Sequence, residues 1–266
     1  MSSAPTHTHW FSRFMSSLKR QTGEVIRRDK AISIEVLLEV LNILDSLWEE
    51  DNTRDGRLWI SRMGVWFSLG FSLGLRGEEM LIIERAATLA SLIGLDPNHH
   101  VTPHFRAVMN GATKGRRLAG STVTIPCAAV SRKSGIRTGL WMVRYAQQLA
   151  DSGSAPGFLF GSDANPTPKL SDFEDDFYGL LERVQQARPD LIPPDLEVRE
   201  EFGILRSLRR GVTAHAINIK VPDKLIELIN RWRAELERRS SGIAMIDVYS
   251  EWEALLPTTV QYSLHL

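Results

Sequence analysis

Apolar residues recur along this chain with two different periods, and the change of period marks out its elements. From Ser33 to Trp48 the positions Ile34, Leu37, Leu38, Val40, Leu41, Ile43, Leu44 and Leu47 repeat at helical spacing and predict an amphipathic helix. Polar residues from Asp51 to Arg57 break the pattern. Leu58 to Leu75, carrying Trp59, Met63, Trp66, Phe67, Leu69 and Phe71, then predicts a buried helix that ends near Gly74. A second helix is expected to start around Gly77, where Glu78 and Glu79 suit the positive end of its dipole.

The pattern changes between Pro103 and Pro126. Phe105 to Met109 and Ser121 to Ile125 read as short strands on either side of the turn-rich run from Asn110 to Gly115. Helical spacing returns from Gly139 to Leu149. Gly157 to Phe160 suggests one more short strand, and Asp163 to Ser171 a loop. Phe173 to Ala187 predicts a helix that Pro189, Pro193 and Pro194 close. Glu197 to Ile217 reads as one helix. Val221-Pro222-Asp223 opens another with Leu225, Ile226, Ile229 and Trp232 on one face. Met245, Val248, Trp252 and Leu255 mark a last helix before Pro257. The end, Thr258 to Leu266, alternates Val260, Tyr262, Leu264 and Leu266 as a strand would. The expectation is a mainly α protein with a small antiparallel β-sheet, an α+β chain without internal repeats. Residues 1–30, rich in Ser, Thr and Arg, form a tail or docking arm, and 31–266 form one domain.

Composition narrows the classes. The 266 residues are 43% hydrophobic, enough for a substantial core. Lysine plus arginine and aspartate plus glutamate both number 32, so net charge gives no sign of a polyanionic partner. Distribution does: Gly111 to Arg144 holds seven basic residues (Lys114, Arg116, Arg117, Arg132, Lys133, Arg137 and Arg144) and no acid. Such a run is either a solvated face or a phosphate-gripping one. The one cysteine, Cys127, rules out an internal disulfide framework and fits a reducing, intracellular location, nuclear in a eukaryotic host. No apolar run reaches membrane-spanning length, so no membrane partner is expected.

Two arginines stand in apolar surroundings, Arg76 after the buried helix and Arg209 within Leu205-Arg206-Ser207-Leu208-Arg209-Arg210-Gly211. A guanidinium there needs an anionic partner. That partner is either a carboxylate such as Glu78, Glu79 or Glu201, or a phosphate, whose oxygens suit the planar fork. Twenty-three residues beyond Arg209 stands Trp232, in Asn230-Arg231-Trp232-Arg233, and Tyr249 follows in the last helix. Read singly, Trp232 is a core residue and Tyr249 an ordinary helix residue.

The ordered set resembles the tyrosine recombinase, or phage-integrase, family from about residue 30 to the end. It is closest to the divergent integrase-like domains of eukaryotic mobile elements. Leu73-Gly74-Leu75-Arg76-Gly77-Glu78-Glu79 is similar to the family's first arginine motif, and Ser207-Leu208-Arg209-Arg210-Gly211 to its second. Trp232 matches the histidine-or-tryptophan position, Tyr249 the nucleophile and Lys114 the β-hairpin lysine, with Lys133 as the alternative. Tyr262 is the rival nucleophile, set in the extended tail. The family's usual histidine, three residues before the second arginine, is Arg206 here. The stretch from Glu235 to Gly242 is an apparent insertion relative to compact bacterial members.

The resemblance implies an integrase-like catalytic domain over 31–266 that cleaves and rejoins double-stranded DNA through a 3′-phosphotyrosyl bond. No metal and no cofactor is expected. The implied catalytic set is Arg76, Lys114, Arg206, Arg209, Trp232 and Tyr249, with Arg116, Arg117, Lys133, Arg210 and Arg233 on the DNA backbone. It also implies assembly as a multimer on DNA through the C-terminal tail. A domesticated, catalytically decayed DNA-binding protein of the same fold is the alternative, because arginine does not deprotonate in a protein and Arg206 cannot be a base.

Overall fold

A computed structural model of the protein describes residues 29–75, 78–92, 104–110, 122–152, 157–223, 225–226, 262 and 266. The described elements in chain order are α1 (Ile34–Glu50), α2 (Arg54–Leu73), α3 (Arg85–Ala90), β1 (His104–Asn110), β2 (Thr122–Ala128), α4 (Thr138–Ser152), α5 (Glu174–Ala187), α6 (Val198–Glu201) and α7 (Arg206–Asn218). The chain is mainly helical, with β1 and β2 as one antiparallel pair running from His104 opposite Ala128 to Asn110 opposite Thr122.

The centre is α2. Every residue from Met63 to Leu73 is buried, so this helix has no solvent face over its second half. It packs against α1, α4 and α7. Trp66 stacks on Phe173 with ring centroids 4.0 Å apart and meets Phe160 edge-on at 5.2 Å; Phe67 stacks on Phe177 at 5.1 Å. Each such pair adds about 0.5–1.5 kcal/mol beyond the area it buries. Together they fix α5 against α2.

Both leading helices are capped by their own sequence. The Ser33 hydroxyl accepts from Val36 N–H at 3.3 Å and that of Thr53 from Gly56 N–H at 3.1 Å. This corrects the polar break expected over Asp51–Arg57: α2 begins at Arg54, because Asp51 and Thr53 cap the helix instead of delaying it.

Four further expectations are corrected. No helix starts at Glu78; residues 78–82 turn, then Ile83 and Glu84 run extended. Glu84 N–H donates to Val108 O at 2.6 Å and Leu159 N–H to Ile83 O at 2.7 Å, so these residues add to the hairpin edge and the helix waits until Arg85. The strand expected at Gly157–Phe160 reduces to the single bridge between Phe158 and Glu84. The single helix expected over Glu197–Ile217 is two, α6 and α7. A continuous helix would need the Phe202 carbonyl, but Tyr178 donates its hydroxyl to that oxygen at 3.1 Å, and Gly203 N–H turns to the Ser207 hydroxyl at 2.9 Å. Finally, Tyr262 is helical rather than extended, and Leu266 N–H donates back to Tyr262 O at 3.2 Å. Residues four apart share a face in a strand and in a helical turn alike, which is why alternation misread this segment.

Gly211 is fixed by packing. A β-carbon on it would lie 1.9 Å from the Ile32 carbonyl oxygen, where the chain before α1 crosses α7. Ile32 N–H donates to Ser207 O at 3.0 Å in the same crossing. Among the described residues, no helix is long and apolar enough to cross a membrane.

Candidate functional site: the arginines of α7

The arginine-rich motif opens α7, and its three arginines go two ways. Arg209, half-buried, extends to the C-terminal end of α2 and donates from Nη1 to the Gly74 carbonyl at 2.7 Å. Gly74 takes the left-handed conformation (φ 53°) that ends α2, which glycine adopts without strain. A contact across 135 positions therefore joins the two arginine motifs. Leu75 is fully buried beside it, and Glu79, four residues on, is a buried carboxyl at 4% exposure.

Arg206 and Arg210 face elsewhere. Arg206 Nη1 lies 3.2 Å from the Asp29 carboxylate, with the arginine side chain 82% exposed. Arg210 Nη1 donates to the Asp29 main-chain carbonyl. The described structure thus separates Arg206 from Arg209, although the sequence grouped them. Arg76, Lys114, Trp232, Tyr249, Arg116, Arg117 and Arg233 lie outside the described residues; Lys114, Arg116 and Arg117 belong to the connection between β1 and β2.

The basic stretch divides likewise. Lys133 is exposed and donates to the Ile219 carbonyl, at the end of α7, at 3.4 Å. Arg137 and Arg144 both pair with Asp45 of α1, Arg137 at 3.0 Å. Those two are fold contacts.

Tyr262 is buried at 1% exposure, and its hydroxyl has no hydrogen-bond partner among the described residues. Burial drives its pKa well up; the positive charge of Arg209 pulls the other way and loses. Tyr262, the rival to Tyr249, is thus a buried phenol within reach of the Arg209 charge. The Leu266 carbonyl accepts from Ser134 N–H at 2.8 Å, which anchors this end of the chain within the same molecule.

Sequence reasoning missed His215 and Asp29. His215, half-buried on α7, tilts against Phe71 with ring centroids 6.3 Å apart and bonds the Leu266 backbone. Burial holds its pKa below the ordinary value. A helical face with Leu208 and Val212 inward points to His215 only weakly. Asp29 carried no signal, being one acid at the end of a segment read as a tail.

Among the described residues no group of three or more His, Cys, Asp or Glu side chains could hold a metal ion. Clefts of about 350 Å³ by Arg85 and Asp163 and about 410 Å³ by Glu78 and Lys169 include none of the α7 arginines. Cys127 is buried and its thiol pKa is driven up by desolvation, so it is a core residue and no nucleophile. Compared with protein-family models, with curated proteins and with solved structures, the chain matches none.

Proposed function

We propose that the protein cleaves and rejoins double-stranded DNA in the manner of a tyrosine recombinase. The observation that supports this reading most is the bond from Arg209 to the Gly74 carbonyl, which brings the second arginine motif to the segment that leads into Arg76. In the proposed site the Arg76 and Arg209 guanidinium groups would serve the non-bridging oxygens of one phosphate.

In the proposed reaction the Tyr249 hydroxyl attacks a DNA phosphorus in line. The tyrosyl O–P bond forms as the P–O5′ bond breaks, leaving a 3′-phosphotyrosyl link. The phenolic proton passes to solvent water as the new bond forms, and Lys114 delivers one to the leaving 5′ oxygen. Arg76 and Arg209 hold the charge that gathers on the phosphate, and the Trp232 indole N–H adds a neutral donor. A 5′ hydroxyl from the same or another strand reverses the step, and the covalent link keeps the bond energy for it. Assembly on DNA as a multimer belongs to the same proposal.

The Arg206–Asp29 contact favours a second reading, a DNA-binding protein of this fold that no longer cleaves. Arginine supplies no base at that position, and this one is turned to a carboxylate. A nicked duplex substrate, whose short cleaved fragment diffuses away, separates the two. The first reading expects a covalent protein–DNA adduct on a denaturing gel, lost in Tyr249→Phe. Salt-sensitive binding with no adduct supports the second.

A further inference from the structure

Arg206 and Arg210 stand one turn apart at the start of α7 and meet the same residue, Asp29. The floor of that contact is Gly203: a β-carbon there would come within 2.7 Å of the Asp29 carboxylate. Neighbouring backbone bonds, Lys30 N–H to Glu201 O at 2.6 Å and Ile32 N–H to Ser207 O at 3.0 Å, hold the segment in register along α6 and α7. The carboxylate is largely covered, at 22% exposure, whereas the Arg206 side chain is 82% exposed. Arg206 thus holds one oxygen of the carboxylate and Arg210 the main-chain carbonyl of the same residue, and the Arg206 guanidinium stays open to the solvent side.

We propose that Gly203, Arg206 and Arg210 form a binding site for a DNA backbone phosphate, separate from the Arg209 centre, and that Asp29 fills it as an intramolecular stand-in. A phosphodiester presents the same charge and the same pair of oxygens to a guanidinium as a carboxylate does. The Arg206–Asp29 pair is wet on the arginine side, and ion pairs of that kind hold weakly. An incoming phosphate exchanges with the carboxylate at little loss, and release of DNA counterions drives the exchange. Asp29 thus lowers affinity for DNA by competing for the site. The proposal rests on the DNA-binding reading above and adds to it a second phosphate contact and an internal competitor.

The test is duplex-DNA binding by fluorescence anisotropy with the full chain, titrated at several salt concentrations, for the natural protein, Asp29→Asn, Asp29→Ala, Arg206→Gln and the Asp29→Asn/Arg206→Gln double variant. Removal of the competing carboxylate raises low-salt affinity about threefold or more, whereas Arg206→Gln, which loses the phosphate contact, lowers the log–log salt slope by about 0.9. Both Asp29 variants are expected to show the gain, and the double variant to lose it. Unchanged affinity in the Asp29 variants, or a gain that persists without Arg206, overturns the proposal. Loss of the fold in both Asp29 variants, seen by circular dichroism, overturns it as well, since the carboxylate would then be structural. Natural-protein binding that Arg209→Ala weakens, with Asp29→Asn unchanged, sinks this site alone. A natural protein that binds no DNA sinks the reading beneath it too.

Discussion

Arg144 of α4 and Arg209 of α7 both reach across the fold, one to a carboxylate and the other to the carbonyl that ends α2. Arg144, 14% exposed, has its guanidinium 4.8 Å from the rings of both Trp48 and Trp141, and it pairs with the Asp45 carboxylate. Arg209 is held by a neutral backbone carbonyl, that of Gly74. The first closes a charge balance between α1 and α4. The second joins two motifs far apart in the sequence. A cation inside a basic stretch is therefore not a nucleic-acid contact by virtue of the stretch, and a cation within one turn of others need not share their target.

Stability and activity separate the two arginines. Arg209→Ala is expected to lower single-turnover adduct formation about 10²–10³-fold, or about 3–4 kcal/mol, as loss of a phosphate-stabilising donor does. Its unfolding free energy falls by about 1 kcal/mol for the lost bond to the Gly74 carbonyl, apart from its other contacts. Arg144→Leu reverses the pattern. Urea denaturation should show about 2 kcal/mol of destabilisation, because Asp45 loses a charged partner, with DNA affinity and salt slope unchanged. A slope reduced by about one in Arg144→Leu would place that residue on DNA and break the contrast. Arg137→Gln is milder. Its side chain is 50% exposed where it meets Asp45, and removal should cost about 0.5 kcal/mol or less.

The smallest effect is titration of His215. Burial holds this imidazole below its ordinary 6.5, so the unfolded chain takes up the proton first as pH falls. The stability given by the neutral ring is complete above 6.5 and is lost as the pH drops below it. Urea midpoints should decline over that range in the natural protein, and the decline should flatten in His215→Gln.

Elements with one strong period were legible from sequence. The stripe from Ile34 to Leu47 and the all-round apolar run that became α2 both formed where expected, as did the hairpin, because burial on one face or on every face imposes those spacings. Pro126 still lies within β2, opposite Arg106, so the strand outran its expected end. Boundaries set by tertiary partners were not legible. The break before α7 comes from Tyr178 claiming the Phe202 carbonyl, a contact across 24 positions that no local pattern encodes. The candidate site was legible in part for the same reason. Arg209 and the motif around Gly74 could be paired by resemblance and do meet. Arg206, three residues away on the same helix, turns to Asp29 because a helix carries neighbours at that spacing on adjacent but distinct directions, and the partner on each side decides where each goes.

Arg76 and Arg209 are proposed to act on one phosphate. A double-mutant cycle on the rate of adduct formation, with Arg76→Ala, Arg209→Ala and the double variant on one nicked duplex, tests this most directly. Groups that serve the same transition-state charge are strongly non-additive. The double variant is expected to fall within about tenfold of the slower single variant. Losses that simply multiply would show that the two arginines act independently, and would contradict the proposal.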